Sequence, residues 1–180
     1  NFGIIIKLAE RQMSLYSRLI LAVLLAMPAL ADSRVCAGCH RDIWETYRQT
    51  GMGRSFYRLT PERLVEDFVR KNSYYHAPSN SYFTMVVRNG HYYQRRHQLD
   101  AAGNPVNVME LRVDYVMGSG NHARAYLHRT ESGRLIQLPL GWYAEKGGYW
   151  AMNPGYDRPD HDGFRRPITY ACMFCHNAYP

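Results

Sequence analysis

The chain has 180 residues, 15 tyrosines, four cysteines and a formal charge of +7. That length predicts one modest domain, and the ordinary share of charged residues reads as globular rather than disordered. Basic residues are scattered instead of gathered in a run, so the excess charge gives no nucleic-acid footprint and no nucleic-acid partner is expected.

The chain opens with an address. Arg18 precedes nine apolar residues, Leu19 to Met27, followed by Pro28 and Ala29-Leu30-Ala31. A basic start, a short apolar centre and an Ala-x-Ala site predict a secretory signal peptide over 13–31, cleaved before Asp32. The alternative is an uncleaved anchor, but the apolar run falls short of the ~20 residues that a spanning helix needs. The membrane is therefore met only through this signal, and the destination is periplasmic or extracellular. Met13 fits a true start, and residues 1–12 read as translated upstream sequence. Removing the first 31 residues leaves 149 of the 180. It also takes away three basic residues and one acidic residue, so the charge falls from +7 to +5.

All four cysteines lie in two copies of one pattern, "CAGCH" at Cys36–His40 and "CMFCH" at Cys172–His176. Exported cysteines usually pair as structural disulfides, yet none is left over here for a long-range bridge. A thioredoxin-like redox pair would sit in a βαβ pattern, which the chain lacks. Zinc usually takes two Cys-x-x-Cys halves about 15–20 residues apart, far closer than these. A histidine directly after each second cysteine is the attachment signature of haem c. Two thiols three positions apart reach the two vinyl groups on one porphyrin edge, and the adjacent histidine ligates iron. Cys36, Cys39, Cys172 and Cys175 are thus the expected attachment residues for two haems, with His40 and His176 as proximal ligands.

Between the motifs, Arg41 to Thr50 carries Ile43, Trp44 and Tyr47 on one face and predicts a short helix. "TPERLVEDFVRKN" predicts a second helix, with Thr60 as N-cap and Pro61 in its first turn. From Tyr74 the period becomes two. "YFTMVVR" and "HYYQRRH" flank Asn89-Gly90, a hairpin signal. In "VNVMELRVDYVM", Met109, Leu111, Val113, Tyr115 and Met117 predict the buried face of one strand. Glu131 to Arg134 predicts another turn, and Asn153 to Arg166 reads as loop. The expected class is α+β: short helices carrying the two haem sites at the two ends, with an antiparallel β-sheet insert over about 74–152, all within one cytochrome domain over 32–180.

The phrases "CAGCHRDIWETYRQTGMGRSF", "YVMGSGNHARAYLHR", "GRLIQLPLGWY" and "YACMFCHNAYP" resemble the N-terminal part of bacterial exported multihaem c-type cytochromes, the kind often carrying C-terminal tetratricopeptide repeats. The resemblance covers most of the chain from Val35 and implies a fragment of a longer reading frame. It also implies redox partner proteins, and further haem domains or tetratricopeptide repeats in the full-length chain. In many such proteins a histidine follows the first haem motif about where Met52 stands here. Met52 is either a distal iron ligand of the first haem, which would raise its potential, or a methionine filling space beside the porphyrin. His122, in "GSGNHAR", and His76, in "YYHAPS", are the other distal candidates. Gly118 and Gly120 would let the backbone near His122 approach a flat ring. Arg165 and Arg166 are read either as a haem propionate clamp or as a solvated pair. Electron relay is the expected function. The alternative is a multihaem oxidoreductase whose open iron acts on a small nitrogen or sulfur compound.

Overall fold

The computed structural model describes residues 34–176. The expected upstream sequence, the signal peptide and the last four residues lie outside that range. The chain divides into two compact units, with the boundary between Trp44 and Glu45.

In the first unit, α1 (Arg34–Ala37) is a single turn that ends inside the first motif. α2 (Arg41–Tyr47) starts directly after His40 and crosses the boundary.

The second unit is built of strands. β1 (Phe56–Tyr57), β6 (Tyr115–Met117), β7 (Ala123–Arg129), β9 (Leu140–Tyr143) and β10 (Tyr149–Met152) lie in that order in one sheet, and β8 (Leu135–Gln137) pairs with β7 off this path. β2 (Ser73–His76), β3 (Ser81–Arg88), β4 (His91–Leu99) and β5 (Pro105–Arg112) form the other sheet in sequence order. All the pairings are antiparallel.

The alternation read from the sequence sets the inner faces. Ser81, Phe83 and Met85 on β3, with Tyr92 and Gln94 on β4, point into a core shared with Tyr126, Leu140, Trp142 and Trp150 of the other sheet. Gln94 clamps the two layers together. Its side chain donates to the Leu140 carbonyl at 3.0 Å and accepts the Leu140 N–H at 2.9 Å, so neither buried backbone group is left unpaired. The Asn89-Gly90 hairpin forms as expected, with both residues at positive φ and Arg88 facing His91. The turn at Glu131–Arg134 also forms, with Gly133 at φ 82°. Asn153 to Arg166 holds neither helix nor strand.

Three expectations are corrected. The α+β arrangement, with short helices carrying the haem sites at both ends of a β insert, is overturned: two antiparallel sheets make the body. Among the described residues the α-helices run only four to seven residues. The sheet also reaches back to Phe56, well before the expected start of the strands.

The helix expected after Thr60 is a single 3-10 turn, Pro61–Arg63, and Thr60 makes no side-chain cap. A continuous helix cannot place both Glu66 and Phe68 inward. Here Leu64 turns extended, Glu66 reaches buried partners on β7, and Phe68 packs on Tyr92, Tyr126 and Trp150. Tertiary burial outweighs a helix propensity worth tenths of a kcal/mol per residue.

The strand expected over residues 106–117 splits at Val113-Asp114. Val113 donates to Tyr92 in one sheet and Asp114 to Leu127 in the other. The inward parity changes at the switch, so Val113 and Val116 are buried while Tyr115 and Met117, expected inward, are only half-buried. β5 is an outer strand. It carries a register shift opposite Arg96/Gln98, and Asn107 sits at φ 51°.

Candidate functional site

In the first motif, the turn after Cys36 closes with the Cys39 N–H and the His40 N–H both donating to the Cys36 carbonyl, at 3.3 and 2.9 Å. The His40 carbonyl then accepts the Trp44 N–H at 2.9 Å, so the histidine is the last residue before a helix. Cys36, Cys39 and His40 are exposed, and both thiols are outside any disulfide.

In the second motif, α3 (Tyr170–His176) contains Cys172, Cys175 and His176. The spacing i, i+3, i+4 puts these three positions on one helix face. The Cys172 thiol is half-buried and unbridged. It lies 3.5 Å from the Thr169 hydroxyl, whose hydrogen bond holds it below the ordinary thiol range. That favours the thiolate, the reactive form. The side chain of Cys175 lies outside the described set.

The Ser55 hydroxyl bridges the second motif to Met52: it lies 2.7 Å from the His176 carbonyl, 2.7 Å from the Met52 carbonyl and 3.8 Å from the Met52 sulfur. Sequence order places Met52 after the first motif, whereas this bridge brings it beside the second. The His176 Nδ1 is buried without a partner. A metal-ligating imidazole usually donates its other N–H to a carbonyl or carboxylate, and no such bond pins this ring.

The residues fit haem attachment in that each motif offers an unbridged thiol one helical turn from its second cysteine, with the histidine next in line. Among the described residues no three His, Cys, Asp or Glu side chains converge as a metal-ligand set. Covalent attachment through two thioethers and one axial histidine does not require one.

The other candidates lie in different surroundings. His122 is exposed in the loop before β7, and its carbonyl accepts the Ala144 N–H. The glycines near it face the protein's own groups: Gly118 lies against the Ala123 carbonyl, and a Cβ at Gly120 would stand 2.6 Å from the Arg124 Nε. Arg166 is engaged within its loop, donating to the Pro154 and Gly155 carbonyls and stacking over Tyr156 with its Cζ 3.9 Å from the ring centre.

His76 is only 3 % exposed. Its Nδ1 lies 2.8 Å from the Ser79 hydroxyl, its Nε2 is buried without a partner, and its ring centre is 5.4 Å from that of His161. The His161 Nδ1 accepts the Gly163 N–H at 3.0 Å, so its neutral ring carries the proton on Nε2. That proton sits where a metal would have to bind.

Burial, then the neighbouring His76, Arg96 and Arg166, hold the His161 imidazole below its ordinary 6.5, with Asp162 opposing. Burial and Arg95 lower His97 in the same sense. A depressed histidine binds its proton more weakly folded than unfolded, so stability is full above about pH 6.5 and falls as the solution is acidified below it. Urea midpoints should therefore drop between pH 7 and pH 5, and His161→Gln should flatten that slope. A slope unchanged by the substitution would assign the acid sensitivity to other groups.

One cluster gave no signal in the sequence. Glu66 and Arg124, 58 residues apart, form an ion pair at 2.9 Å with side chains 0 % and 5 % exposed. The Tyr126 hydroxyl also donates to Glu66, and Arg124 donates to the Arg63 carbonyl at 2.8 Å. Burial and the Glu66 charge push the Tyr126 phenol well up, so it remains a donor. Arg124 lines a cavity of about 600 Å³.

No protein-family model, curated protein or solved structure matches this chain.

Proposed function

We propose that this chain is an exported c-type cytochrome segment that attaches two haems, through Cys36 and Cys39 and through Cys172 and Cys175, and relays single electrons. The observation that carries the reading is the twice-written Cys-x-x-Cys-His. The unbridged thiols of Cys36, Cys39 and Cys172 support it.

Each thiol would add across a vinyl group, sulfur bonding to one carbon and hydrogen to the other, with no net oxidation. His40 and His176 would supply the proximal nitrogens. Haem, when bound, supplies a ferric/ferrous couple, and the chain's part is to hold it and set its potential through ligands, charge and burial. Export through 13–31 would place the chain in the periplasm or outside the cell. Redox partner proteins would donate and accept the electrons, and further haem or tetratricopeptide segments of a longer chain are part of the proposal.

Electron-transfer haems usually have both axial positions filled, and Met52 and His122 are the exposed distal candidates. The experiment is an optical spectrum of chain made with haem-attachment machinery, oxidised and reduced, with and without carbon monoxide. The expected result is low-spin ferric iron and slow carbon monoxide binding, because the gas must displace a side chain. Met52→Ala or His122→Ala should convert one haem to high spin. Fast carbon monoxide binding by the unsubstituted chain, with turnover of nitrite or hydroxylamine, would favour the oxidoreductase instead.

A further inference from the structure

The cavity in front of Arg124 is bounded by Arg54, Tyr57, Glu62, Arg63 and Ser119. The guanidiniums of Arg63 and Arg124 both lie over the Tyr57 ring, 5.0 and 5.6 Å from its centre. The cavity lining holds Arg54, Arg63 and Arg124 with Glu62, and Glu66 pairs with Arg124, so three positive charges stand against two negative ones. Two donors are also left over: the Arg124 Nε and the Tyr57 hydroxyl are buried without partners. Burial is the main cause that raises the Tyr57 phenol, so this hydroxyl stays protonated. A buried donor without an acceptor is costly, and an acceptor placed in the cavity beside the Tyr57 hydroxyl would relieve that cost. The cavity wall runs straight into the second motif. Ser55, between wall residues Arg54 and Phe56, is the residue bonded to the His176 carbonyl.

We propose that this cavity is a carboxylate site and receives a propionate of the haem attached through Cys172 and Cys175. The inference rests on the haem reading of the second motif. A single carboxylate matches the uncompensated charge; guanidinium groups bind carboxylates through strong charge-assisted hydrogen bonds, and the phenol adds a neutral donor. With Arg166 engaged in its own loop, the clamp falls to Arg63 and Arg54, with Tyr57 beside them.

The test uses the full chain carrying Cys36→Ala and Cys39→Ala, made with attachment machinery, so that only the second haem is present and intact mass reports it. Positive charge at a propionate favours the reduced haem. Arg63→Gln and Arg54→Gln should therefore lower the midpoint potential, Glu62→Gln should raise it, and Arg63→Lys should leave it close to the parent. Loss of packing alone would not give opposite signs for Arg63 and Glu62. Haem attached, with one midpoint across all four variants, overturns the propionate site and leaves the haem reading standing. No haem mass on the parent chain overturns the haem reading itself. Added inorganic phosphate should leave the parent midpoint unmoved. If phosphate shifts the parent and not Arg63→Gln, the cavity is open to a free oxyanion and the propionate is not its occupant.

Discussion

Chain exported with haem-attachment machinery should weigh two haems more than its processed polypeptide, and Cys172→Ala with Cys175→Ala should remove one of them and leave the other. Denaturing electrophoresis should retain haem peroxidase staining on the band, because thioethers survive where axial bonds do not. The effect is all-or-none for each site. A thioether needs a thiol, and no other cysteine exists in the sequence to substitute. Cys36→Ala with Cys39→Ala should give the same single loss at the other motif. A mass equal to the bare polypeptide, or raised by zinc, would end the cytochrome reading.

Glu66→Ala should cost about 3–5 kcal/mol of stability, the range for stripping one partner from a buried ion pair. The carboxylate takes three donors at once: Arg124 at 2.9 Å, the Val65 N–H at 2.7 Å and the Tyr126 hydroxyl. Its removal strands a guanidinium with 5 % of its surface exposed. Urea unfolding of the haem-loaded chain measures the loss. Replacing both members, as Glu66→Leu with Arg124→Met, should cost much less than the two single changes together, since the uncompensated charge disappears with its partner. A loss below about 1 kcal/mol for Glu66→Ala would mean that water from the cavity resolvates Arg124.

Features written in adjacent residues were legible in the sequence. Asn89-Gly90 needs only its own two positive φ angles, the turn at Gly133 likewise, and each Cys-x-x-Cys-His pattern is complete within five positions. Features decided by distant partners were not. The Leu64–Phe68 segment has a sound helical pattern, but Glu66 answers to Arg124 and Phe68 to Trp150, and neither demand is visible locally. The run through Val113 alternates in sequence on both sides of Asp114, yet period-two patterning does not say when a strand leaves one sheet for another, and the buried side flips there. That missed switch, with the unrealised helix, turned a mostly β body into an expected β insert. The cavity was illegible for the same reason: Arg54, Arg63 and Arg124 are ordinary scattered arginines until β1 and β7 enter the same sheet.

β5 forms one border of its sheet and leaves Val106, Val108 and Met109 exposed. A flat border of that composition would invite a second chain to zip alongside, the usual start of edge-to-edge aggregation. The left-handed Asn107 and the slipped register opposite Arg96/Gln98 break the even row of amide and carbonyl groups that such zipping requires. At this border the fold gives up regular pairing and in return resists self-association.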